Sequence, residues 1–164
     1  MNWKNFFARF TALGFLVLAM TVFANAQNSK TKSLISKIKA EFPERQKQIA
    51  EKCDGASVVV DVDFASFGDN YDALLRVPSQ GLKEMTYGVR RFCTNKSDST
   101  KGDPEKVGAL KSKVKKIMLK QVANASDKKI SLQSGGVVLI EMAFHDLKGG
   151  LSHVEIERGL GEIL

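Results

Sequence analysis

The chain has 164 residues with 25 Lys and Arg against 18 Asp and Glu, a formal charge of +7, and only two cysteines and two histidines. That is enough for one domain with a hydrophobic core. The charge is too modest for a dedicated nucleic-acid surface, and two cysteines alone lack the ligands for a structural metal centre.

Residues 1–26 read as a secretory signal peptide. Lys4 and Arg9 precede an apolar run from Phe10 to Phe23, and Ala24-Asn25-Ala26 offers small residues for cleavage before Gln27. The run is shorter than the roughly 20 residues that span a bilayer, so no stable membrane anchor is expected. Residues 27–164 would then be a single α+β domain, periplasmic or secreted, with a charge of +5 because Lys4 and Arg9 leave with no carboxylate. Such a location argues against nucleic acid as a partner. It also makes a disulfide the expected state of Cys53 and Cys93.

Leu34, Ile35, Ile38 and Phe42 fall at helical spacing, and Pro43 breaks that helix from a second one ending at Lys52 with Ile49 inward. Cys53-Asp54-Gly55 closes it. From Ala56 to Phe67, Val58, Val60, Val62 and Phe64 alternate with Val59, Asp61, Asp63 and Ala65, the period of a strand with one buried face. Gly68-Asp69-Asn70 is a turn. Tyr71 to Val77 fits a returning strand slightly better than a helical turn. Ser79 looks like the N-cap of a helix whose stripe is Leu82, Met85, Val89 and Phe92. Asp103-Pro104-Glu105 opens a Lys-rich helix expected over 104–123, with Val107, Leu110, Val114, Ile117 and Val122 on its apolar side.

From Lys129 the period becomes two. A three-residue loop at 134–136 pairs Leu132 with Val138, Ile130 with Ile140 and Lys129 with Glu141. A second such loop at 148–150 pairs Phe144 with Val154 and Met142 with Ile156. The fold expected is therefore α+β: an antiparallel sheet of four or five strands, ending in a three-stranded meander, with helices packed on one face.

Three candidate sites follow. The second hairpin sets His145 opposite His153 with Glu155 diagonal to them, a set that suits zinc or copper. Asp61, Asp63 and Glu141 lie on the open sheet face, where another protein or a small ligand could dock. Lys106, Lys113, Lys116 and Lys120 make the Lys-rich helix a candidate anion-binding face. Catalytic sets are missing. Val-Val-Val-Asp61-Val-Asp63 resembles the Asp-x-Asp start of phosphatases of the haloacid dehalogenase type, but Ala65 departs from that pattern and no later acidic pair follows an apolar strand. No Gly-x-Ser-x-Gly elbow and no phosphate-cradling glycine loop occur. The function expected is a small secreted binding or interaction module without catalysis of its own. The alternatives are a metal-binding protein or metal-dependent enzyme using His145 and His153, or an anion-binding protein using the Lys-rich helix.

Overall fold

The computed structural model describes residues 29–98, 101–146 and 148–164. The signal segment expected at 1–26 lies outside them. Residues 37–164 form one compact unit. Residues 29–40 are helical (α1), and after Glu41 the chain enters α2 (Phe42–Lys52), in whose first turn Pro43 needs no N–H donor. Asp54 (φ 51) and Gly55 (φ 74) take left-handed conformations and swing the chain into β1 (Val59–Asp63). Val58, Val60 and Val62 are buried as their alternation requires. The strand is shorter than the span 56–67. After Asp63 the backbone tightens into a 3-10 turn at Phe64–Phe67, where Ser66 Oγ donates to the Asp63 carbonyl at 2.6 Å.

Tyr71–Arg76 is a helix, α3, and not a returning strand. Asn70 Oδ1 accepts the Ala73 N–H at 3.0 Å, Asp72 occupies the first turn, Arg76 the last, and Ala73, Leu74 and Val77 are buried at helical spacing. Ser79 is not an N-cap. Pro78 lies in a wide π-helical turn at Val77–Leu82 that runs unbroken into α4 (Lys83–Cys93), with the Lys83 N–H donating to the Pro78 carbonyl. Within that turn a Cβ on Gly81 would come 2.9 Å from both Leu119 Cδ1 and Phe144 Cε1. The backbone therefore rests directly on the core.

α5 (Pro104–Lys113) begins as expected, with Asp103 accepting from the Glu105 and Lys106 N–H groups, but it stops at Lys113. Val114 is extended and Lys116–Gln121 is β2, so the helix over 104–123 is corrected to a helix and a strand. β3 (Lys129–Gln133) and β4 (Val137–Met142) form the expected hairpin in the expected register, turning through Gly135 (φ 79) and Gly136 (φ 78). The third meander strand does not form. Its residues are α6 (His153–Ile163), started by a capping box in which Ser152 Oγ accepts the Glu155 N–H at 3.3 Å and Glu155 Oε2 accepts the Ser152 N–H at 2.9 Å.

The sheet order is β1-β2-β4-β3, with β1–β2 and β2–β4 parallel and β3–β4 antiparallel. The fold is thus α+β with a four-stranded mixed sheet, mostly parallel, in place of an antiparallel one. The helical stretch between β1 and β2 is long enough to return the chain to the end from which β1 started, which parallel pairing demands. One sheet face is core: Val60, Val62, Ile117, Leu119, Val138 and Ile140 are all buried. Gly159 of α6 sits against Ile130 on that face, where a Cβ would come 2.7 Å from Ile130 Cδ1. Cys53, at the end of α2, is bonded to Cys93, at the end of α4, with both side chains fully buried. Among the described residues no helix is long and apolar enough to cross a membrane.

Candidate anion-binding cleft

The register brings Asp61, Met118, Leu139 and Ser131 into one row across the other sheet face, and Asp63, Lys120, Glu141 and Lys129 into the next. Here the carboxylates meet their own lysines. Lys116 Nζ lies 3.0 Å from Asp61, and Glu141, only 6 % exposed, lies 3.4 Å from both Lys120 and Lys129. Asp63 stands half-exposed at the end of β1. Burying a carboxylate is costly unless it is paired, and these pairs satisfy Glu141 and Asp61 within the chain. Asp63 is the carboxylate of this set with no such pair among the described residues.

The basic set is divided in the same way. Lys116 and Lys120 belong to β2 and its ion pairs, Lys113 donates to the Leu164 carbonyl, and only Lys106 faces a cavity. The histidines are not cross-strand neighbours, because α6 replaces the strand that would have paired them. His145 Nδ1 is 2.7 Å from Gln121 Nε2. Gln121 Oε1 accepts the Phe144 N–H at 2.8 Å, which fixes the amide, so Nε2 donates and His145 Nδ1 accepts. His153 is the first residue of α6. Its backbone N–H (3.0 Å) and Nδ1 (2.9 Å) both lie on Glu84 Oε2. Glu155 is held by Ser152 and by Lys128 Nζ at 3.1 Å. Hydrogen bonds from Ser152, backbone first, and the Lys128 charge hold its carboxyl below the usual glutamate value. Among the described residues no group of three or more His, Cys, Asp or Glu could hold a metal ion.

A concave feature lies elsewhere, lined by residues of the last turns of α4 and by α6. It is a cleft of about 860 Å³ lined by Lys52, Arg90, Arg91, Lys96, Lys106 and Arg158, with Glu157 as the single carboxylate among its lining residues. The cations come from five different stretches of chain: α2, α4, the loop after it, α5 and α6. Arg91 Nε donates to Glu157 Oε2 at 2.7 Å, and this bond, then the Glu157 charge, raises the Arg91 guanidinium further above its ordinary value. Lys106 leans over the Phe92 ring, 5.9 Å from its centroid, and pairs with Asp103 at 3.6 Å. Arg90 Nε is buried without a hydrogen-bond partner. Arg90 and Arg91 also complement the C-terminal end of the α4 dipole, an ordinary role for cations in a last turn. Lys52 has the same role in the last turn of α2, but Lys96, Lys106 and Arg158 do not.

The cleft also has exposed apolar surface in its lining. Tyr87 (46 % exposed) and Val154 (53 % exposed) face it from α4 and α6. The Tyr87 ring meets His153 edge-on, with centroids 4.7 Å apart, and His153 is fixed by Glu84.

Of the expected site residues only Lys106 takes part in this cleft. Arg90-Arg91 was visible as a basic pair, but Arg158 joins it only once 153–163 is a helix. Comparison with protein-family models, with curated proteins and with solved structures finds no match.

Proposed function

We propose that the protein is a binding module without catalysis of its own, whose site is the cleft beside α4 and α6 and whose ligand is anionic. The observation that carries this is the charge gathered in one concavity: six cations and one carboxylate line it, and after Arg91 pairs with Glu157 and Lys106 with Asp103, Lys96 and Arg158 still stand exposed in it. Like charges gathered in a cleft raise the local potential and attract counter-charge, and arginines in particular suit carboxylate and anionic oxygen geometries. The buried disulfide supports work in an oxidising compartment, periplasmic or extracellular, which is also where the residue 1–26 signal would send it.

Heparin serves as a generic polyanion to test the site. The oxidised protein is expected to stay on a heparin column above about 0.3 M salt, where most nonspecific attraction is screened. The double variant Lys96→Glu/Arg158→Glu should elute well below that, while Lys83→Glu/Lys115→Glu, which changes net charge equally at exposed positions outside the cleft, should elute close to the parent. Equal shifts in the two variants would show that net charge alone is responsible and would remove the cleft from consideration.

A further inference from the structure

We infer that the anionic ligand is an acidic peptide segment of another protein, carrying an apolar side chain that seats against Tyr87 and Val154; this rests on the cleft being the binding site. Three features point to it.

The first is how the positive charge is distributed. A small anion such as phosphate is commonly held by a helix N-terminus, where free N–H groups converge. The two helices that begin near this cleft have their N-termini closed by their own side chains: Asp103 caps α5, and Ser152 with Glu155 caps α6. The positive charge of the lining sits on long side chains, and Arg90, Lys96 and Arg158, from α4, the loop after it and α6, carry it without a carboxylate of their own among the described residues. That suits a ligand whose carboxylates are themselves spread along a backbone.

The second is the apolar part of the lining. Exposed apolar side chains scattered singly are ordinary, but Tyr87 and Val154 come from two helices and both line one cleft. Tyrosine and arginine together are the residues most enriched where proteins bind proteins tightly. Tyr87 is braced before any ligand arrives, by His153 and through it by Glu84, so little side-chain freedom is lost on binding.

The third separates a peptide from an acidic polysaccharide. A sulfated or uronic sugar can use the cations and can stack on the tyrosine. An aliphatic Val154 exposed in the same cleft as that tyrosine offers a sugar's hydroxyls nothing, whereas it gives apolar contact to a Phe, Leu or Ile side chain. Asn95 lines the same cleft; its Oδ1 is held by Ser97, which leaves its amide Nδ2 to donate to a peptide carbonyl.

The test uses the oxidised protein and labelled probes, read by fluorescence anisotropy at about 0.15 M salt, where the Debye length is about 8 Å. One probe is a short peptide of Asp and Glu with a central Phe; a second has Ser in place of the Phe; a third is a heparin oligosaccharide. The Phe peptide is expected to bind about tenfold more tightly than the Ser peptide, as partial burial of one aromatic side chain implies. Val154→Ser, a change at an exposed position, should abolish that preference and leave heparin binding unchanged. Arg158→Glu should weaken every probe. If heparin binds through the cleft while the two peptides bind equally or not at all, the peptide is overturned and the anion site stands. If no probe binds, or Arg158→Glu changes nothing, both fail together.

Discussion

At Gly88 the missing side chain decides how closely two helices meet. A Cβ there would fall 2.7 Å from Ile156 Cβ and Cγ2 and 3.0 Å from the His153 carbonyl, all on α6. Neither neighbour is a flexible chain end, so the helices would have to separate. Gly88→Ala is expected to cost about 1–3 kcal/mol, the range for overpacking a tight contact, read as a lower urea midpoint. Gly108 makes the opposite case. It lies in α5 with nothing within 4 Å of where a Cβ would stand. There Gly108→Ala should stabilise by about 0.5–1 kcal/mol, because alanine gives up less backbone freedom on entering a helix. Two alanines of the same sign would show that close approach at Gly88 is not what matters.

At the scale of elements, α6 owes its start to Ser152 and Glu155. Glu155→Gln should destabilise by about 1 kcal/mol at neutral pH, since the amide returns a weaker hydrogen bond and loses the Lys128 pair. The sign with pH follows from the lowered carboxyl. A group held below its unfolded value contributes fully above that value and loses its contribution as pH falls through the folded one. The gap between parent and variant, measured by urea melts across pH, should therefore be full near neutrality and close in acid. A gap that widened in acid would contradict the capping geometry.

The same helix shows where the sequence was legible. Hairpin β3–β4 could be read to the residue because one register alone places Leu132 and Ile130 opposite Val138 and Ile140. At 151–163 both periods were available: Val154 and Ile156 could be paired with Phe144 and Met142, while Ile156 and Leu160 fit a helix. The deciding signal, Ser152 with Glu155 three residues on, was present but outweighed by the analogy between the loops at 134–136 and 148–150. β2 was lost for a related reason. Ile117 and Leu119 alternate over too short a span to be told from a helix that already held Val107 and Leu110, and no glycine or proline marks the end of α5. Since the cleft draws on α6, misreading that helix hid Arg158 and Val154. The Asp61 and Glu141 face was legible as a face, but the parallel pairing with β2 that neutralises it was not.

At the scale of the whole molecule the disulfide and the sheet act together. The bond joins residues 40 apart in sequence, for which the chain-entropy model gives a stabilisation of roughly 4 kcal/mol. Reduced protein, compared with oxidised protein in urea, is expected to lose stability of that order, and a difference under about 1 kcal/mol would mean the reduced unfolded chain already holds those ends together. There is also a consequence in time. The β3–β4 hairpin closes across three residues and can form in about 1–10 μs, whereas β1 must find β2 from beyond three helices. β1 is therefore the strand seated late, and until it arrives β2 offers a bare edge to any neighbouring chain. Because Cys53 stands just ahead of β1 and is tied to the end of α4, an oxidised chain that has lost its sheet still keeps the missing strand close at hand. The bond shortens that search, and with it the interval in which one molecule can be mistaken for part of another.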